Sequence, residues 1–250
     1  MVSIFDPRKA IGRFGGCCPN TAGHESENTL RIACLHTAAS NVDVFNSAAS
    51  RLDVRELSLQ HFVRADLLVA AENEGGLTHA IQRDTVEALV SLSRNVDAVL
   101  LTCSTLGPAA DVADEAASVP VLRVDAALAR EATRLGGKVV ALCAVQTSIK
   151  ATRQVFNDAA ARAGADVSVE LVAGAWDYFK AGNIDGYLTL IAKAALAVRQ
   201  ASECTVALAQ ASMAKAADQL PRDLRPLTSP ATGLLAAVRA ATNGQATRCT

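Results

Sequence analysis

Asp97-Ala98-Val99-Leu100-Leu101-Thr102-Cys103-Ser104-Thr105-Leu106-Gly107-Pro108 places a thiol at the end of an apolar run. The Ala-Val-Leu-Leu core of that run reads as a buried parallel strand. The Gly-Pro pair then opens a helical stretch, Ala109 to Ala117. Cys103 therefore belongs at the carboxyl edge of a strand and before the amino end of a helix. In open α/β sheets that is where ligands bind. Backbone N–H groups and the helix dipole at such a point attract an anion and favour thiolate over thiol. The pattern predicts a reactive cysteine beside a carboxylate cradle.

Two later turns carry small hydroxyl residues at the same kind of place: Ala144-Val145-Gln146-Thr147-Ser148 and Ala209-Gln210-Ala211-Ser212-Met213. If the three turns line one cleft, Ser104, Thr105, Thr147, Ser148, Ala211 and Ser212 are the candidate substrate-binding residues. His36, Thr37 and Asn41 follow the first strand and are expected to face the same cleft. His36 can equally be a structural hydrogen-bonder, and Gln210 can equally tie two loops together. Cys34 and Cys143 lie inside apolar strands and read as core. Trp176, Tyr178, Phe179 and Tyr187 crowd into a dozen residues, and Asp177 to Asn183 suits a lid or cleft wall.

The elements that must hold these residues alternate along the chain. Strands are predicted at Leu30–His36, Glu56–Phe62, Ala98–Thr102, Val119–Val124, Lys138–Ala144, Val167–Val172, Thr205–Ala209 and Leu224–Thr228. Helical patterns lie at Val42–Arg51, Leu77–Arg94, Ala109–Ala117, Ala126–Leu135, Ser148–Ala163, Tyr187–Ser202, Met213–Leu220 and Thr232–Ala241. Gly136-Gly137 and Gly164-Ala165-Asp166 are strong turn signals. Strict βα alternation argues for parallel sheets with right-handed crossovers. Eight such units can also close into one barrel, but short final units and a break near Val124–Ala126 favour two smaller sheets.

Composition narrows the function classes. A formal net charge of -1, with both signs interspersed and no long basic tract, points away from nucleic acid and anionic membranes. No run approaches the eighteen apolar residues of a membrane span, and the first thirty residues show no apolar signal core. Seven cysteines, an odd number with several inside strands, suit reduced thiols and a cytoplasmic setting better than a disulfide framework. Cys17-Cys18 with His24 matches no zinc spacing, so no metal site is expected. Gly12, Gly15 and Gly16 lack the preceding strand and following Lys-Ser/Thr of a phosphate loop.

From about Leu30 to Ala241 the chain resembles the aspartate/glutamate/hydantoin racemase superfamily. The resemblance rests on Thr102-Cys103-Ser104-Thr105, on Gly137-Lys138-Val139-Val140-Ala141-Leu142 and on Leu208-Ala209-Gln210-Ala211-Ser212-Met213-Ala214. Pro226-Leu227-Thr228-Ser229-Pro230 fits as well. It implies two similar Rossmann-like α/β domains with parallel sheets related by a pseudo-two-fold axis, and an active site in the cleft between them. The division expected is residues 29–124 with 228–250, then 125–227, after a loosely ordered extension over 1–28. A homodimer or higher homo-oligomer is expected, with no metal and no organic cofactor.

In the superfamily two cysteines face the substrate from opposite sides, as inversion at carbon requires. Cys103 falls on the first. Gln210 falls on the second, and an amide does not exchange protons at useful rates. The leading expectation is proton transfer at the carbon next to the carboxylate of a small acid, through Cys103. A single-cysteine decarboxylase or cis–trans isomerase of a small (di)carboxylic acid is the alternative, with Gln210 donating to a developing oxyanion. A third reading, from another class, is a non-catalytic binding protein for small carboxylates.

Overall fold

The computed structural model describes residues 29–248 apart from positions 53 and 55. The expected extension over 1–28, with Cys17, Cys18, His24 and glycines 12, 15 and 16, lies outside the described residues.

The first half runs β1 (Leu30–His36), α1 (Asn41–Ala49), β2 (Leu57–Val63), α2 (Ala65–Asn73), α3 (His79–Leu92), β3 (Ala98–Leu101), α4 (Pro108–Ala116) and β4 (Val121–Arg123). Its strands form one parallel sheet in the order β2-β1-β3-β4. α5 (Val124–Thr133) follows β4 without a loop. The second half is β5 (Gly137–Cys143), α6 (Ile149–Ala163), β6 (Ala165–Leu171), α7 (Ala175–Lys180), α8 (Ile184–Ala201) and β7 (Thr205–Leu208). A 3-10 helix over Ala211–Gln219 and β8 (Leu227–Thr228) complete a second parallel sheet, ordered β6-β5-β7-β8. α9 (Ser229–Arg248) is the last element of the described residues. The architecture is two sheets, not a barrel. No helix of the described residues is long and apolar enough to cross a membrane.

Each central strand is buried on both faces, and the period of two sorts its side chains between two cores. On the first sheet, Ala33, Leu35, Val99 and Leu101 pack under α2, α3 and α4. Ile32, Cys34, Ala98 and Leu100 pack instead with Phe45 of α1 and with Leu234, Ala237 and Ala241 of α9. On the second sheet, Val140, Leu142, Val206 and Leu208 face α8 and the 3-10 helix, while Val139, Ala141 and Ala207 face Leu128 of α5 and Phe156 of α6. The 3-10 helix buries Met213 and Ala216, three residues apart, as its three-residue turn dictates.

The strand expected at Leu224–Thr228 shrinks to Leu227–Thr228 because Arg222–Leu224 forms a 3-10 turn, and two α-helices have no counterpart in the sequence reading. α2 follows β2 after one residue, so the apolar run Leu67-Leu68-Val69-Ala70-Ala71 has no turn signal ahead of it. α7 is only six residues long, too short for a 3.6-residue period to show. The glycine signals held: Gly136 and Gly137 sit at φ 71° and 76° between α5 and β5, and Gly164 ends α6 at φ 68°.

The halves match residue by residue. Leu35 pairs with Leu101 and Leu142 with Leu208, and beyond them Thr102 N donates to Leu35 O as Ala209 N donates to Leu142 O. By that register Cys103 and Gln210 are equivalents, as are His36 and Cys143. Arg123, opposite Leu101, corresponds to Thr228, opposite Leu208.

Candidate functional site

In each sheet the strand order reverses between the two central strands, and the crevice of such an α/β sheet opens at their carboxyl ends. In the first half that point lies between the ends of β1 and β3, at Thr37 and Cys103. In the second it lies between the ends of β5 and β7, at Val145 and Gln210. The two crevices meet in one cavity of about 40 Å³, lined by Thr37, Asn41, Cys103, Ser104, Thr105, Gln210, Ala211 and Ser212. Leu68, Trp176 and Phe179 wall it in. That volume suits roughly three waters. Bonds between the halves hold it shut: Ser104 Oγ donates to Ala209 O at 3.0 Å, and Trp176 Nε1 on α7 donates to Glu72 Oε1 on α2 at 2.9 Å.

Eight of the eleven residues singled out from sequence thus line one cavity. Three do not. His36 is fully buried behind Thr102 and turns its ring toward His61, because the side chain of a strand's last residue still obeys the sheet's alternation. Thr147 touches Thr105 at 3.5 Å but lines a neighbouring surface cavity of about 530 Å³ with Lys150 and Gln154. Ser148 lies buried behind Gln210 and accepts from its Nε2. Ser104, which does line the cavity, spends its only hydroxyl proton on Ala209 O and can offer a carboxylate only its backbone N–H.

Cys103 is the one titratable side chain among the described residues that line the cavity. The expected thiolate preference does not hold in this state. Burial pushes the Cys103 thiol up, with a smaller push from the negative charge of Asp125. Hydrogen bonds from the Thr37 hydroxyl and from the backbone N–H groups of Leu106 and Thr105 pull the other way and lose. The donors predicted from the strand-to-helix turn are present; desolvation outweighs them.

Gln210 is held at both ends of its amide. Its Oε1 accepts from Ala144 N at 2.6 Å and its Nε2 donates to Ser148 Oγ, so one N–H remains. Behind it Cys143 is fully buried, and burial lifts its thiol despite hydrogen bonds with Thr152, Ser148 and Gln210. Asn41 is also buried, and its Oδ1 has no hydrogen-bond partner. Asn41 lines the cavity, and a buried acceptor left without a partner there asks for a donor.

Several supporting residues carry no local motif. Arg123 donates to Asp125 at 2.7 and 2.8 Å and to Asp111 at 2.8 Å. Burial works against the Arg123 charge, but bonds and charges from both carboxylates hold the guanidinium cationic. A Cβ on Gly107 would run into that guanidinium, so the turn after Cys103 needs glycine there. Tyr187 Oη lies 2.8 Å from Ser212 Oγ and fixes that hydroxyl from behind. The i to i+2 spacing of Arg123 and Asp125 was the available signal; it meant nothing without their burial.

A buried thiol and a locked amide stand at equivalent strand ends of two α/β halves and line the same small cavity. Residues 42–242 match the Asp/Glu/hydantoin racemase family. The chain belongs to that family. No match is found among curated proteins. Among solved structures the fold is similar to allantoin racemase from Pseudomonas fluorescens, with a TM-score of 0.60 and 18% identity over 86% of this chain and 92% of that one. Aspartate racemase from Picrophilus torridus superposes with a TM-score of 0.61 at 11% identity, covering 85% and 94%. Glutamate racemase from Thermus thermophilus gives 0.57 at 17% identity, covering 86% and 81%. At such identities the likeness shows the fold.

Proposed function

We propose that the chain is a racemase-type isomerase that moves a proton at the carbon beside the carboxylate of a small acid bearing an N–H group. Cys103 takes and returns the proton on one face. Thr37 and the N–H groups of Thr105 and Leu106 stabilise its thiolate once a substrate cation or an opened cleft offsets the cost of burial. The carrying observation is the unpartnered Asn41 Oδ1 in the same cavity as Cys103. It supports a substrate that donates a hydrogen bond, which the amino group of aspartate or glutamate and the ureide of allantoin all do. Gln210 presents its remaining N–H to the developing enolate oxygen from the far side. Nothing in the fold or its relatives favours the decarboxylase.

The test is deuterium uptake from D2O at Cα of aspartate and glutamate, and at C5 of allantoin, where a ring carbonyl takes the place of the carboxylate, followed by proton NMR beside chirality of the product. Exchange faster than inversion is expected, because the far face carries an amide. Cys103→Ser should lower exchange by about 10²- to 10⁴-fold, the size of a general-base contribution. Thermal stabilisation by the same compounds, with no exchange in the wild type, would instead establish a binding protein.

A further inference from the structure

His36 and His61 take no part in the cleft, and they meet a third donor. Cys34 and His36 stand two residues apart on β1 and share one face of the sheet. The strand register pairs Cys34 with His61 of β2, which brings His61 to the same face. Sγ and ring nitrogens of the three lie within 4.8 Å of one another. Cys34 and His36 are fully buried, beside the Phe45 ring, and His61 is half-buried. Backbone pairing therefore imposes this convergence.

The outer nitrogens of both rings already have oxygen partners. His36 Nδ1 lies 2.8 Å from Thr102 Oγ1, whose hydroxyl reaches Leu35 O at 3.0 Å. His61 Nε2 lies 2.9 Å from Asn46 Oδ1. With the Thr102 proton on Leu35 O and a carbonyl oxygen at Asn46, each outer nitrogen is the donor. A neutral imidazole has one N–H, so its other nitrogen bears a lone pair. His36 Nε2 and His61 Nδ1 then face each other at 2.8 Å as two acceptors. A cation between them satisfies both. Imidazoles that hand their outer N–H to an oxygen and turn the inner nitrogen inward have the arrangement of metal ligands.

We propose that Cys34, His36 and His61 bind one thiophilic divalent ion, Zn²⁺, between the first two strands. Zn²⁺ takes nitrogen at about 2.0–2.1 Å and sulfur at about 2.3 Å. A tetrahedral ion sets its two nitrogens about 3.3 Å apart, so the rings part by about half an ångström. As the Zn–S bond forms, the Cys34 S–H bond breaks and its proton leaves to solvent; nothing is oxidised or reduced. The ion clips edge strand β2 to β1 and steadies Thr102, the residue before Cys103, through His36. It is a structural clamp on the wall of the cleft and takes no part in proton transfer.

The full chain, reduced and stripped with a chelator, is titrated with Co²⁺ and then Zn²⁺. One equivalent of Co²⁺ should bind with a thiolate-to-cobalt charge-transfer band, Zn²⁺ should displace it, and Tm should rise. Cys34→Ser should abolish the band, and His61→Gln should weaken Zn²⁺ binding by about tenfold or more. Cys103→Ser should leave both unchanged. Failure to take up either ion overturns the proposal, and so does a band that survives Cys34→Ser and disappears with Cys103→Ser. If Cys34→Ser does not fold, His61→Gln decides, since unchanged Zn²⁺ affinity there is equally fatal. None of these readouts depends on the proposed activity.

Discussion

At the end of β3 and at the end of β7 the chain makes the same turn with different chemistry. Cys103 stands free of side-chain restraint except for the Thr37 hydroxyl, while Gln210 is pinned by Ala144 N and Ser148. The central strand of the first half ends in His36, that of the second in Cys143. Beside them, Arg123 knits a buried ion cluster where the second half has only Thr228. Equivalent backbone positions have thus been divided between a lightly held thiol and an amide pinned at both ends. Pairing and register carry the symmetry, and side-chain polarity breaks it.

The ion cluster should show the largest asymmetry. Asp125→Ala leaves Arg123 buried with one solvent-facing partner, and such a loss costs about 3–5 kcal/mol. Thr228→Ala, its counterpart, should cost about 1 kcal/mol or less. Urea unfolding of the two variants measures both, and equal losses would dissolve the contrast.

The strand-end pair should divide the pH axis. The folded-state pKa of His36 is depressed to about 4, so its contribution is present above the unfolded value of about 6.5 and lost as pH falls toward 4. That loss is on the order of 3 kcal/mol. The thiol of Cys143 is shifted up, so its share is present below the ordinary thiol range and lost as pH climbs beyond it. In metal-free protein, His36→Gln should make only the acid arm shallower and Cys143→Ala only the alkaline arm, by pH-dependent chemical unfolding.

Gln210→Cys places a second thiol at the symmetric position. It should raise inversion relative to exchange in the NMR assay. It should also cost about 1–3 kcal/mol, because Ala144 N loses its buried acceptor. An unchanged ratio would mean that the far-face proton never depended on this position. The smallest effect belongs to the wall. Trp176→Phe removes the bond to Glu72 and should cost about 1 kcal/mol, while iodoacetamide reacts faster with Cys103 as the halves part.

Much of this was legible before any coordinates. β1 falls on the predicted Leu30–His36, and Cys103 lands at a strand end because Ala98-Val99-Leu100-Leu101 is apolar without alternation. α2 and α7 were not legible, since neither has a boundary signal or enough turns to show a period. His36 was read one step too far: its place at the end of a strand is written in the chain, but which way its ring turns depends on the pleat and on His61 of a neighbouring strand. The direction of the Cys103 shift was likewise hidden, because local donors are visible in a motif and burial is not.

The sequence by itself determined the alternation of strand and helix, the division into two sheets, the thiol at one strand end and the amide at its echo. Each follows from apolar runs, turn residues and spacing, which act over a few residues. Only the tertiary structure decided that the two turns close on a cavity of about 40 Å³, that Arg123 braces the Gly107 turn, and that Cys34, His36 and His61 converge. Those outcomes depend on strand register and on the exclusion of water, and both are set by residues tens of positions apart.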